Sequence, residues 1–313
     1  SWLYTALTSP GFKVAHKHVF ITGGSSGLGL ALAKQYARAG AKVTILGRDA
    51  DRLAAAKREI ESSMSSDVRT HAVCTISCDV GDYTAMQNAV AEANSFHQRI
   101  TDHVICNAGA VQPGLFLEQD IAVFRRIMDT NYFGALHTVK AALPAMVQNP
   151  LEPGALKRRV VFVSSAAALT AFIGYGQYSG SKYALRGLSD ALRNELQLYD
   201  IETSIFYPGN MDTPTYVEEQ KTKPEETMAI EGASSVMPPD QAAKDLIRGI
   251  SSGQYAITNE AILQVLRTLS NGVAPRVNMP LELVLLPIFV LIQTGYLFFM
   301  DILVRKAAKQ RKY

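Results

Sequence analysis

Cysteine is scarce in this chain, with three residues in 313: Cys74, Cys78 and Cys106. So small and odd a number argues against a disulfide framework and fits a reducing compartment. Cys74 and Cys78 lack the histidine and cysteine company that a zinc site needs, so both read as strand and core residues and no metal is expected. An excess of one charge is also missing. The formal net charge is +3 and the body holds no Lys/Arg block, which leaves no argument for nucleic acid as a partner. No internal repeat and no low-complexity segment is present, so a repeat array is excluded. The chain opens Ser1-Trp2-Leu3-Tyr4. That apolar stretch is too short for a signal peptide and no basic stretch precedes it, while removal of an upstream segment stays open.

What is present is ample apolar material, 48% of residues, in a length that suits one large α/β domain and an appendage. Strand-like runs near 18–22, 42–46, 72–77, 103–107, 160–164, 204–207 and 255–258 alternate with helix-like runs near 28–39, 51–62, 84–96, 121–146, 176–198 and 239–251. Continuous apolar strands between amphipathic helices predict a parallel, doubly wound sheet. Such sheets bind ligands at the carboxyl ends of their strands.

The first predicted strand runs into Gly23-Gly24-Ser25-Ser26-Gly27-Leu28-Gly29 and then into a helix. Strand, glycine loop and helix form the Rossmann-like context of a dinucleotide-binding fingerprint. Glycines let a pyrophosphate approach the backbone, and the helix N-terminus offers it free N–H groups. The second strand lacks something informative. It ends in Gly47-Arg48, without the carboxylate that NAD sites place there. Nothing repels a 2′-phosphate and Arg48 can pair with one, so NADP is expected rather than NAD.

Further on stand Tyr178 and, four residues later, Lys182, with Ser165 thirteen residues upstream of the tyrosine. A phenol titrates near pH 10. A lysine at i+4 shares its helix face, and the positive charge is expected to lower the tyrosine pKa. A serine hydroxyl would add a second hydrogen bond to the same carbonyl oxygen.

Together these motifs resemble the short-chain dehydrogenase/reductase family, from about Lys17 to about Thr258. Asp79-Val80 looks like the family's adenine-side pair. Cys106-Asn107-Ala108-Gly109 resembles its turn after the fourth strand. Asn131, Ser165, Tyr178 and Lys182 match its catalytic tetrad, and Pro208-Gly209 with Thr213 resembles the segment cradling the nicotinamide. The resemblance implies an NADPH/NADP+-dependent enzyme. In it Ser165 and Tyr178 bind a carbonyl oxygen, Tyr178 donates a proton, Lys182 also holds the nicotinamide ribose, and Asn131 anchors a water.

The stretch after Pro208-Gly209 narrows the substrate. Tyr207 to Pro214, followed by Glu218-Glu219 and the run Thr222 to Thr227, is similar to the 3-ketodihydrosphingosine reductase branch of the family. That implies a lipid-like ketone reduced on the cytosolic face of the endoplasmic reticulum. Membrane-bound steroid or retinoid reductases are the alternative, and a catalytically silent NADP-binding membrane scaffold is one of another class. Residues 212–239 are polar and read as a substrate lid. A sphingoid ketone carries an amine, so one of Glu218, Glu219, Glu225 and Glu226 could pair with it.

The predicted organisation is an N-terminal segment 1–16, a catalytic domain 17–260, a connector 261–280, a membrane-attachment segment 281–304 and a basic tail 305–313. Leu283–Met300 is 18 residues without a formal charge, the lower limit for a membrane-spanning helix. Arg305, Lys306, Lys309, Arg311 and Lys312 follow and suit anionic headgroups. A buried helix or a homo-oligomer contact is the alternative. A single crossing would separate the domain from its basic tail. The expectation is therefore monotopic attachment through a hairpin bent at Pro287 and Gly295.

Overall fold

The computed structural model describes residues 12–64, 73–152, 155–232, 235–272 and 274–310. Seven parallel strands form one sheet in the order β3-β2-β1-β4-β5-β6-β7. They are β1 (His18–Thr22), β2 (Lys42–Gly47), β3 (Cys74–Ser77), β4 (His103–Cys106), β5 (Arg158–Val163), β6 (Ile201–Tyr207) and β7 (Ala256–Thr258). Ala72, Arg311 and Lys312, like residues 1–11 of the N-terminal segment, lie outside the described residues.

The helices are α1 (Gly27–Arg38), α2 (Ala50–Ser62), α3 (Tyr83–His97), α4 (Ile121–Met128), α5 (Gly134–Gln148), α6 (Gly176–Glu195), α7 (Pro214–Gln220), α8 (Glu225–Glu231), α9 (Pro239–Ser251), α10 (Ala261–Leu269) and α11 (Met279–Gln310). Successive strand residues point to opposite faces. Val19 and Ile21 thus join Leu32, Tyr36 and Leu246 in one core layer, while Phe20 joins Val104, Phe162 and Met86 in the other. Both faces are covered, which is why the strands read as unbroken apolar runs.

Sheet order reverses at β1, which pairs with β2 on one side and β4 on the other. The strands flanking that reversal open a crevice at their carboxyl ends. Asp49, Asp82 and Asp120 cap α2, α3 and α4 by accepting bonds from backbone N–H groups. At α1 the N-cap is Ser26, whose side chain makes no such bond. The N–H groups at that helix start therefore stay available.

Three expectations are revised. The helix expected over 121–146 is interrupted by a π-turn, Asp129–Phe133, that carries Asn131. The lid is not loop throughout: α7 and α8 occupy it, and its base is tied by a bridge between Met211 and Met237. The hairpin at Pro287 and Gly295 does not form. Residues Met279–Gln310 make one continuous helix with Pro287 inside it. Proline removes one helix hydrogen bond and crowds the preceding turn, yet apolar helices tolerate it.

The first turn of α11 is pinned by Glu282. Its carboxylate accepts bonds from Arg267, from Arg276 at 3.1 Å and from the Val277 N–H at 3.1 Å. Glu282, Leu285, Phe289, Tyr296, Met300 and Leu303 recur at helical spacing and are buried or half-buried, so α11 lies along the domain by one seam. It packs against α8 and α10. Its other face is apolar and open, with Val284 74%, Leu291 72% and Phe298 66% exposed.

Candidate active site

The crevice begins at the glycine loop. Gly23 and Gly27 adopt φ of +64° and +52°, which side chains other than glycine's rarely reach. A Cβ on Gly29 would stand 2.2 Å from the Gly23 carbonyl oxygen, so only glycine permits this close turn. Asn107 locks the loop from β4, its amide donating to the carbonyls of Thr22 at 3.0 Å and Gly23 at 3.1 Å. The backbone N–H groups of Asn107 and Ala108 both donate to the Thr22 hydroxyl. A tight glycine cradle in front of an uncapped helix N-terminus is what a pyrophosphate requires, so these residues fit a dinucleotide.

A cavity of about 270 Å³ extends from this cradle. Gly23, Ser25, Ser26, Gly27 and Leu28 line it together with Asn107, Ala108, Gly109, Ser165, Tyr178, Lys182, Pro208, Gly209 and Thr213. Gly29 sits buried behind it. Arg48 and Asp79 lie exposed just past the ends of β2 and β3, off the cavity lining. The Asp79 carboxylate accepts from the Gly81 N–H at 2.9 Å, and Val80 is buried against Gly134.

Ser165 follows β5 and opens a short 3₁₀ turn, its hydroxyl accepting from the Ala167 N–H at 3.2 Å. Tyr178 and Lys182 project from one face of α6. The Lys182 ammonium donates to the Val163 carbonyl at 3.1 Å and lies 5.6 Å from the centre of the Tyr178 ring. Asn131 lies behind them. Its oxygen accepts from the Ala110 N–H at 2.7 Å, and its amide donates to the Ala110 carbonyl and the Ser181 hydroxyl, both at 2.9 Å. That side chain therefore ties the 107–110 turn to α6, and its N–H bonds are already used.

The surroundings of Tyr178 act on its phenol in both directions. Burial pushes the Tyr178 phenol above its ordinary value, hydrogen bonding with Ser165 pulls it partly back, and the charge of Glu219 raises it. Burial holds Lys182 itself down to about 8.

Beyond Tyr178 the lid supplies the wall. Thr213 caps α7, accepting from the Tyr216 N–H at 3.1 Å, and its methyl faces Gly27. Phe172, Tyr175, Met211, Tyr216, Glu219 and Glu231 line the cavity there. Of the four lid carboxylates named from the sequence, only Glu219 faces the cavity. Glu218 pairs with Lys221 at 2.5 Å, Glu225 is exposed, and Glu226 is buried off the lining. Glu231 and Tyr175 were not legible. Tyr175 lies 44 residues from Glu219 and 56 from Glu231, and no local pattern joins them.

A dinucleotide cradle with serine, tyrosine and lysine at its mouth defines a carbonyl-reducing or alcohol-oxidising enzyme. The chain belongs to the short chain dehydrogenase family, whose sequence model matches residues 17–224. The 3-ketodihydrosphingosine reductase of Dictyostelium discoideum is 35% identical over 89% of this chain and 85% of its own length. The 3-dehydrosphinganine reductase of Danio rerio is 33% identical over 99% and 92%. The 3-dehydrosphinganine reductase TSC10B of Arabidopsis thaliana is 35% identical over 84% and 76%. A short chain dehydrogenase/reductase from Burkholderia phymatum, solved in complex with NAD, superposes with a TM-score of 0.70 at 20% identity, over 83% of this chain and 94% of that one, and so shares the fold.

Proposed function

We propose that this chain reduces the C3 ketone of 3-ketodihydrosphingosine to dihydrosphingosine with NADPH. The observation that carries the reading is a complete Ser165, Tyr178 and Lys182 set in a cavity whose whole surrounding chain is similar to reductases of that name. Bound at the glycine cradle, the nucleotide supplies a hydride. Gly23 to Gly29 and the start of α1 would hold its pyrophosphate, Asp79 and Val80 would sit on the adenine side, and Pro208, Gly209 and Thr213 on the nicotinamide side. Arg48, exposed just past the end of β2, would pair with a 2′-phosphate.

The chain's own residues then do three things. Ser165 and Tyr178 donate hydrogen bonds to the ketone oxygen and stabilise the negative charge that grows there. Tyr178 gives the proton as general acid. Lys182 and Asn131 hold Tyr178 and the 107–110 turn in register. At neutral pH the Tyr178 phenol is protonated, the form that donates.

The apolar outward face of α11 supports attachment to a membrane, with the helix lying along the domain and its other side in the lipid. By length and composition the same helix could cross a bilayer. We place the enzyme on the cytosolic face of the endoplasmic reticulum, where NADPH is available. The test is NADPH consumption with 3-ketodihydrosphingosine, a steroid ketone and retinal side by side. Selective turnover of the first is expected, and turnover of only the steroid or retinal overturns the substrate assignment. No NADPH oxidation with any of them would point to a binding scaffold.

A further inference from the structure

The lid side of the catalytic cavity carries a charge arrangement that fastening the lid does not require. Glu219 of α7 and Glu231 of α8 line the same cavity as Tyr178. Both bond to Lys223, at 2.9 Å and 2.7 Å. The lysine side chain is 0% exposed, whereas the two carboxylates are 12% and 15% exposed, so the cation lies behind them and they face the cavity. One lysine needs one carboxylate, and here there are two.

Among the described residues no other bond removes the surplus charge. The Tyr175 hydroxyl touches both carboxylates, Glu231 at 2.7 Å, yet it has only one proton to give. Each glutamate also sits in the last turn of its helix, where the helix dipole disfavours an anion. The wall is therefore short of positive charge by one unit, on the side open to the cavity. This surplus lies close to the chemistry. The Tyr175 and Tyr178 rings are 5.9 Å apart, and the Glu219 charge is felt at the Tyr178 phenol.

We propose that Glu219 and Glu231 form an ammonium subsite that orients substrates bearing a protonated amine on the carbon next to the ketone. The proposal rests on the amino-ketone reading above. A ketone held by Ser165 and Tyr178 carries its amine one carbon away, toward this wall. An ammonium has three donors and no acceptor, which matches two carboxylates already served from behind by Lys223. Two anions then face two cations. The added cation also offsets the field of Glu219 at Tyr178, so binding the amine eases the proton transfer that follows.

The experiment measures binding to the full chain in detergent with NADP+ bound. The probes are a long-chain 2-amino alcohol and the same alcohol without its amine, compared by calorimetry. Wild type should bind the amine form at least about tenfold more tightly, the worth of one charge-assisted hydrogen bond. Glu219→Gln and Glu231→Gln should each reduce that preference severalfold while leaving the amine-free probe unchanged, and Glu231→Asp should keep most of it. An absent preference in wild type, a preference undiminished in both Gln variants, or an equal loss for both probes overturns the proposal. If a Gln variant lacks a thermal unfolding transition, the wild-type preference and Glu231→Asp decide. Turnover of 3-ketodihydrosphingosine by wild type tests the substrate reading separately, because the binding ratio does not depend on turnover.

Discussion

Tyr178 and Lys182 share one face of α6, as their spacing suggests. In the proposed mechanism the Tyr178 phenol gives a proton as charge arrives on the substrate oxygen. Tyr178→Phe keeps the ring and removes the proton, and kcat should fall by about 10²- to 10⁴-fold with nucleotide binding retained, measured by NADPH titration and turnover. Lys182 is a buried ammonium that donates to the Val163 carbonyl. Its pKa is lowered to about 8 from 10.5. Between those values the unfolded chain binds more protons than the folded one, so stability rises with pH across that window, and below about 8 the burial cost is fully present. Lys182→Met should therefore raise neutral-pH stability by on the order of 2 kcal/mol in denaturant unfolding while nearly abolishing turnover. At the far end of the cleft, Arg48→Glu should lower the NADPH-over-NADH preference in kcat/KM by at least about tenfold. An unchanged preference would show that Arg48 does not meet the phosphate.

Helix and loop elements are placed by a few long-range ties. Asn107 fastens the glycine loop to β4, the π-turn aims Asn131 at the 107–110 turn, and Glu282 fastens α11 to α10 through Arg267. The last tie is almost fully buried, with side-chain exposures of 2% and 5%. Removing one partner of such a pair leaves an unpaired buried charge. Glu282→Ala should cost roughly 3–5 kcal/mol, read as a lower denaturant midpoint. A midpoint unchanged from wild type would mean that α11 is not held by this pair.

At the scale of the whole molecule, α11 packs on the lid helix α8, so a membrane bound at its open face would be coupled to the lid. Its seam residues pack on the domain and α8, while Val284, Leu291 and Phe298 look outward. Its 32 residues extend about 48 Å, more than the ~30 Å of a bilayer core. Truncation after Leu286 spares Glu282 and should release the domain into the soluble fraction with NADPH binding intact. Truncation after Pro280 should release a less stable domain, because Arg267 loses its buried partner. With α11 lying along the domain, an epitope after Tyr313 should be protease-accessible in sealed microsomes. An epitope shielded until detergent is added would instead put the helix across the bilayer.

Local pattern by itself determined the alternation of strands and helices, the glycine cradle, the Ser165, Tyr178 and Lys182 set, and the apolar C-terminal segment. Each depends on neighbours in sequence: period-two or continuous apolar runs, glycines a few residues apart, two side chains one helical turn apart. Tertiary structure decided what depends on distant residues. Only packing shows that the Lys182 ammonium donates to the Val163 carbonyl at the end of β5. The helix α11 runs on through Pro287, so the expected hairpin does not form. Glu231 and Tyr175, silent in sequence, meet Glu219 only when the lid folds over α6. Burial and charge at a site come from groups converging across the whole chain, and no window of sequence holds that sum.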